Sequence, residues 1–339
     1  MNTAVLLINL GTPDSPSTRD VRSYLRQFLN DPRVVDLPAP LRWALVNLII
    51  VPFRAPKSAK IYQQLWTDQG SPILLHGQRV KSLLQQRLGE GYTVELAMRY
   101  KNPSIPETLE RLRKTNPDRI LVVPLFPQYA SASTGSAMQA VMDVVRDWWV
   151  IPDIRLISQY WNHPTLIHAW LERGRQYDWR DYDHVLFSYH GLPERQVDKV
   201  YDQGLCRDRD CEHEVTDENA YCYKATCYGT TRLLAQGLGI PEEKYTTCFQ
   251  SRLDKKWLEP FADKLVEQHA RQGAKKLLVF SPSFVADCLE TTIEIGHEYQ
   301  ELFEEHGGEK VQLVESLNDH PAWIDTLEAL VRDEDIQGG

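Results

Sequence analysis

The chain has 339 residues, more than one small core needs, and two domains of ordinary size fit it. Its 42% hydrophobic and 25% charged residues are those of a globular protein, and a formal net charge of -9 argues against a general nucleic-acid binder, which needs a basic surface to displace counterions. Six cysteines with no export signal argue against a disulfide framework and for a cytoplasmic location.

Met1 to Leu10 has no positive n-region and no small-residue cleavage site, so Ala4 to Leu10 reads as a strand. A helix-like segment follows from Thr18 to Leu29. Gly11-Thr12-Pro13 is not a phosphate-binding signature, and neither a Walker sequence nor G-x-G-x-x-G occurs, so no nucleotide is expected. Residues 37–53 form the most apolar stretch. Pro38, Pro40, Arg42, Asn47 and Pro52 leave it short of the roughly 20 apolar residues a bilayer span needs. It reads first as a buried amphipathic helix, with a greasy lip over a pocket or a peripheral contact with the inner membrane as alternatives.

Helical periodicity continues at Ala59 to Trp66, Ile73 to Leu88, Ile105 to Lys114 and Thr165 to Tyr177. It alternates with strands at Thr93 to Met98, Ile120 to Leu125 and Ile154 to Ile157. The second half restarts at His184, with strands Val185 to Tyr189, Tyr245 to Gln250 and Lys276 to Ser281 and helices Lys224 to Leu238 and Leu258 to Gln272. Leu-Leu-Ile-Asn-Leu-Gly-Thr-Pro near the start pairs with Leu-Phe-Ser-Tyr-His-Gly-Leu-Pro in this half, and later pairs keep the same order. The expected fold class is therefore α/β: two similar doubly wound parallel-sheet (Rossmann-like) domains facing a central cleft. The expected division is 1–160, 161–318 with a Cys-rich insert at about 200–227, and a C-terminal helix in 319–339 packing back on the body.

His190 ends a buried run, Val185-Leu-Phe-Ser-Tyr, before Gly191 and Pro193. The carboxyl edge of a parallel sheet is where ligands bind, and an imidazole there changes protonation near neutral pH. At the end of the last strong strand, a helix starting near Asp287 would put Asp287, Glu290 and Glu294 on one face, suited to passing protons or holding a divalent cation. Arg54, Ser71, Arg99, Tyr100 and Tyr129 lie in loops or at strand ends, where guanidinium and aromatic groups suit a flat anion bearing carboxylates. Cys206, Cys211, Cys222 and Cys227, spaced C-x4-C-x10-C-x4-C in a segment too charged to make its own core, point to a metal centre. The spacing alone does not choose zinc or iron-sulfur, and His213 is a possible substitute ligand.

Together the segments resemble the ferrochelatases: Leu-Ile-Asn-Leu-Gly-Thr-Pro, Phe-Leu-Asn-Asp-Pro-Arg-Val-Val-Asp, Gly-Ser-Pro-Ile, Pro-Gln-Tyr, Ser-Tyr-His-Gly-Leu-Pro, Phe-Gln-Ser-Arg and Ala-Asp-Cys-Leu-Glu-Thr. The resemblance runs along nearly the whole chain. It implies a chelatase-like fold and insertion of Fe2+ into protoporphyrin IX to form protoheme. It also implies that His190 and Glu290 are the catalytic and iron-contacting pair and that Asp287 and Glu294 form a proton or iron path. Porphyrin contacts are implied at Arg54, Ser71, Arg99, Tyr100, Tyr129 and Trp257. Leu10 occupies a substrate-side position that is tyrosine or methionine in other members, so no metal-ligand role is carried over to it. For the cysteine quartet the resemblance implies a [2Fe-2S] cluster, with structural Zn2+ as the alternative. Rival readings are a metallochaperone-like tetrapyrrole-binding protein without turnover, and a chelatase for another metal or for coproporphyrin.

Overall fold

The computed structural model describes residues 2–337, which divide into two compact units, 2–126 with 130–159 and 324–337, and 127–129 with 160–323. In the first unit, β1 (Thr3–Gly11) carries Ala4 to Ile8 fully buried on both faces. That is why the run is continuously apolar: helices cover both sides of a parallel sheet, and each of Val5, Leu6, Leu7 and Ile8 contributes about 1.5–3 kcal/mol by burial. After β1 come α1 (Thr18–Leu29), α2 (Ala39–Ala44), a π-helical turn Leu45–Ile50, α3 (Val51–Leu65) and α4 (Pro72–Leu88). The Ser17 hydroxyl starts α1 by accepting from the Asp20 amide at 3.2 Å, a side-chain cap for an otherwise orphaned donor.

The rest of this unit is β2 (Tyr92–Tyr100), α5 (Ile105–Arg113), β3 (Arg119–Pro124), a π-helical turn Ser131–Gly135, α6 (Ser136–Val145) and β4 (Asp153–Leu156). All pairings are parallel, in the order β2-β1-β3-β4. The second unit holds α7 (Pro164–Gly174), β5 (His184–His190), α8 (Glu194–Val197), α9 (Tyr223–Leu238), β6 (Tyr245–Gln250), α10 (Ala262–Arg271) and β7 (Lys276–Phe280). The π-helix Leu289–Tyr299 then leads into α11 (Gln300–Glu305) and β8 (Lys310–Leu313). Its sheet, again all parallel, is ordered β6-β5-β7-β8. The last helix, α12 (Pro321–Gln337), clusters with the first unit from Ile324 on, and Asp325 there pairs with Arg87 at 2.9 Å.

The two sheets have one topology, so β1 and β5 are equivalent central strands, and their ends repeat one device. Gly11, at φ +119, passes so close to the Tyr100 carbonyl that a Cβ would lie 2.0 Å from its oxygen. A Cβ on Gly191 would lie 2.8 Å from the Gln250 carbonyl oxygen. Each glycine lets the chain leave the central strand hard against its neighbour. Leu10 and His190 stand immediately before these glycines.

Two expectations are corrected and one strand is added. Residues 37–53 do not form a buried amphipathic helix: Leu41, Trp43, Leu48, Ile49 and Phe53 are exposed, Phe53 at 74%, so the segment presents an apolar face outward. The last strand, β8, went unread because Lys-Val-Gln-Leu is short and half polar. Finally, the helix expected from Asp287 is a π-helix that starts at Leu289, so Asp287 lies ahead of it and shares no helical face with Glu290 and Glu294.

Candidate active site and thiol centre

The second unit's sheet edge gathers the candidate chemistry. His190 closes β5 and pairs in register with Gln250, the last residue of β6. Its Nδ1 lies 2.6 Å from the Gly191 carbonyl oxygen. A carbonyl can only accept, so Nδ1 donates here, and Nε2 has no hydrogen-bond partner among the described residues. Trp257 and Phe284 flank the ring, each with its centroid 6.3 Å away. Trp257 is held by an antiparallel bridge to Pro193 and by the Leu258 amide donating to the Leu192 carbonyl at 2.9 Å.

Gln250 connects this histidine to the acidic helix. Its amide oxygen accepts from Ser188 Oγ at 2.7 Å, which turns its Nε2 toward the π-helix. That nitrogen donates to the Glu290 carbonyl oxygen at 2.8 Å and to the Glu294 carboxylate at 3.0 Å. Glu294 also accepts from the Ser251 amide at 2.8 Å, from Ser251 Oγ and from Tyr299 Oη at 3.1 Å. Four donors thus converge on one carboxylate and tie the π-helix to the end of β6. Glu290, in the first turn, keeps its carboxylate beside the buried Cys288 thiol; burial first, and the Glu290 charge second, push that thiol well above its ordinary range. Asp287 is fixed by Asn318, whose side-chain amide donates to it at 2.8 Å. Insertion of an extra residue per turn, as in π-helices, recurs at functional sites.

The first unit treats its candidates differently. Arg54 is exposed on α3, and Leu10 is half-buried. Ser71, buried, shares a 2.8 Å hydrogen bond with Thr12 and lines a pocket of about 370 Å³ with Thr12, Asp14, Trp66 and Asn102. Arg99 and Tyr100 are committed internally. Arg99 donates to Asp31 Oδ2 at 2.7 Å and to Ser136 Oγ at 2.6 Å, and the fully buried Tyr100 donates its hydroxyl to the same Asp31 oxygen at 2.9 Å. Burial, and next the Asp31 charge, push the Tyr100 hydroxyl far up. Asp31 also accepts from Ser136 Oγ at 2.5 Å and from the Arg33 amide at 2.8 Å. Sequence reasoning passed over Asp31, although it sits in the Asn-Asp-Pro-Arg run that carried part of the resemblance. Tyr129 belongs to the second unit and packs edge-on against Tyr221, centroids 5.5 Å apart.

Three of the four clustered cysteines meet. The Sγ atoms of Cys206, Cys211 and Cys222 lie 3.5 to 3.8 Å apart, all buried, and among the described residues they form the group of metal-ligating side chains close enough to share an ion. Cys227, in the second turn of α9, stands outside that group, and its thiol has the Tyr223 hydroxyl for a partner. His213 is exposed and paired to Asp210. A [2Fe-2S] cluster takes two cysteines on each of two irons. Cys206, Cys211, Cys222 and Cys227 are all buried, with Cys227 five residues beyond Cys222 along α9, and four thiols are the donor set such a cluster would take.

The chain is similar to known proteins along nearly all of its length. The Ferrochelatase family model covers residues 2–335. A ferrochelatase of Legionella pneumophila (strain Lens) is 43% identical over 335 residues, spanning 98% of this chain and 100% of its own length. One from Coxiella burnetii (strain Dugway 5J108-111) is 41% identical over 337 residues, 97% of this chain and 92% of its own. In fold, SirB from Bacillus subtilis, solved with Fe3+, superposes at TM-score 0.54 and 13% identity, over 98% of this chain and 95% of that one. By a family model that covers residues 2–335 and by relatives 41–43% identical over 97–98% of its length, the chain belongs to the ferrochelatase family.

Proposed function

We propose that this protein is the enzyme that inserts Fe2+ into protoporphyrin IX to form protoheme, with His190 and Glu290 at the reacting atoms. The observation that carries the site assignment is the linkage His190–Gln250–Glu290: the end of one strand, its neighbour and the first turn of the π-helix joined by register and one amide. Metallation needs two pyrrole protons removed and water stripped from the ion, and a flat macrocycle hides its nitrogen lone pairs. Binding that bends the ring exposes them, so binding energy offsets distortion.

His190 Nε2 takes the pyrrole protons, and the Nδ1 bond to the Gly191 carbonyl holds the ring in the accepting tautomer. Glu290 offers Fe2+ an oxygen ligand of the hard type that ferrous ion accepts. Glu294, held by four donors, keeps Glu290 in place, while Asp287 extends the acidic path. Arg54, Ser71, Trp257 and Tyr129 are porphyrin contacts on this reading, and Arg99 and Tyr100 act one step back by holding Asp31. The reaction moves no net electrons, so no step is assigned to the cysteine group.

The test is anaerobic incubation of the full chain with Fe2+ and protoporphyrin, followed by absorption. Many hemes per chain are expected. A spectral change that stops at one porphyrin per chain would leave a binding protein and not an enzyme, and turnover confined to coproporphyrin would move the substrate assignment.

A further inference from the structure

Asn318 lies in the loop between β8 and α12, buried, with its backbone in the left-handed region at φ +50. That conformation is strained for most side chains and tolerated by Gly, Asn and Asp, and it persists where the surroundings over-determine it. The surroundings here are the stretch that runs from β7 to the π-helix. Asn318 donates its own amide to the Val285 carbonyl at 2.8 Å. Its side-chain Oδ1 accepts the Asp287 amide at 2.9 Å, while Nδ2 donates to Asp287 Oδ2 at 2.8 Å. A backbone N–H can only donate, so Oδ1 must face it, which leaves the donor end of the side chain for the carboxylate. Glycine would keep this backbone and lose both side-chain bonds. Aspartate would keep the acceptor and set a second carboxylate against Asp287.

The clamped stretch serves both candidate groups. Phe284, just before Val285, flanks the His190 ring, and Cys288, just after Asp287, is the extended residue from which the π-helix carrying Glu290 starts. Cys288 is tied in turn to the first turn, its amide donating to Thr291 Oγ1 at 3.0 Å. One span therefore places an apolar wall of the imidazole and the entry of the acidic helix. The bonds of Asn318 go to that span and not to His190 or Glu290 themselves.

We propose that Asn318, 31 positions beyond Asp287, is a positioning residue for iron insertion. By gripping the amide and the carboxylate of Asp287 together, it sets the path of residues 285–288 and so the place from which Glu290 meets Fe2+. The inference rests on the reading of His190 and Glu290 given above and adds to it a residue that touches neither reacting group.

The test is steady-state kinetics of the full chain with Fe2+ and protoporphyrin varied separately. Asn318→Gly should lower kcat/KM for Fe2+ by about 10–100-fold, the usual worth of a partner that orients a metal ligand, and leave the KM for porphyrin unchanged. Asn318→Asp should be slow as well, because it faces Asp287 with a like charge. Combining Asn318→Asp with Asp287→Asn restores a donor and an acceptor between the two positions with the roles exchanged, and should recover part of what Asn318→Asp loses. Val311→Ala, a truncation in the buried cluster under β8, should lower Tm and leave the kinetic constants alone. An equal kinetic loss in Val311→Ala would reduce Asn318 to a structural role. Asn318→Gly with wild-type kcat/KM for Fe2+ would overturn the inference, and so would a double variant no faster than Asn318→Asp. A slow His190→Ala beside a normal Asn318→Gly defeats this inference and spares the reading of the site, whereas His190→Ala at the wild-type rate defeats that reading and the inference with it.

Discussion

Replacing His190 by alanine lowers the rate of iron insertion by about 10²–10⁴-fold, the usual worth of a positioned general base, while protoporphyrin still binds. The split follows from the site. The imidazole presents one unpartnered nitrogen, and its ring is bounded by Trp257 and Phe284, which survive the substitution as apolar contacts. Loss of the base therefore shows in kcat and much less in porphyrin affinity, measured by fluorescence quenching. A variant with wild-type kcat would remove His190 from the chemistry. A variant that fails to bind porphyrin at all would make it a binding residue instead.

Asp31→Ala is the substitution expected to damage stability most. The carboxylate is buried and receives Arg99, Tyr100, Ser136 and the Arg33 amide, so removing it strands a guanidinium and two hydroxyls in the interior of the first unit. Breaking a buried, hydrogen-bonded ion pair from one side costs about 3–5 kcal/mol. For a unit of this size that lowers Tm by roughly 6–20 °C. Asp31→Asn, which keeps the shape and one acceptor oxygen, should lose less. Thermal unfolding reads both, and an unchanged Tm in the alanine variant would mean that the network contributes nothing net. The same experiment separates two roles for Arg99 and Tyr100. If they serve Asp31, their loss lowers stability along with activity, whereas direct porphyrin contacts would affect binding alone.

The central strands were plain in the sequence for a physical reason. β1, β5 and β7 are covered on both faces, so their residues read as unbroken apolar runs, and the repeat around Gly11 and Gly191 reflects a real equivalence of strands. His190 was legible because a buried strand announces where it ends. The strand β8 was not, since four residues with Lys and Gln carry no such signal. Residues 37–53 misled because an apolar stretch has the same composition whether its face is buried or displayed; the exposed Trp43, Leu48 and Phe53 decide it.

The acidic helix shows a second limit. Spacing alone placed Asp287, Glu290 and Glu294 on one α-helical face, yet the chain stays extended through Cys288 and then winds with a wider turn. Nothing in the letters marks that choice, and the bonds that hold Glu294 come from Gln250 and Ser251, more than forty residues away. Asp31 was missed for the same kind of reason. Its partners lie 68, 69 and 105 residues away, so its burial is a property of the fold and leaves no local pattern. The cysteines divide similarly: their clustering in sequence pointed to a metal, but that Cys206, Cys211 and Cys222 meet is a property of the fold.

The most direct measurement of the site is the position of iron itself. Crystals of the full chain soaked with Fe2+ under anaerobic conditions, with diffraction collected at the iron absorption edge, locate the ion by its anomalous signal. With no porphyrin present to deprotonate, His190 Nε2 is open to the metal, and the predicted result is iron bound by that nitrogen and the Glu290 carboxylate. Iron found elsewhere, with both side chains unengaged, would contradict the assignment of the reaction to this sheet edge.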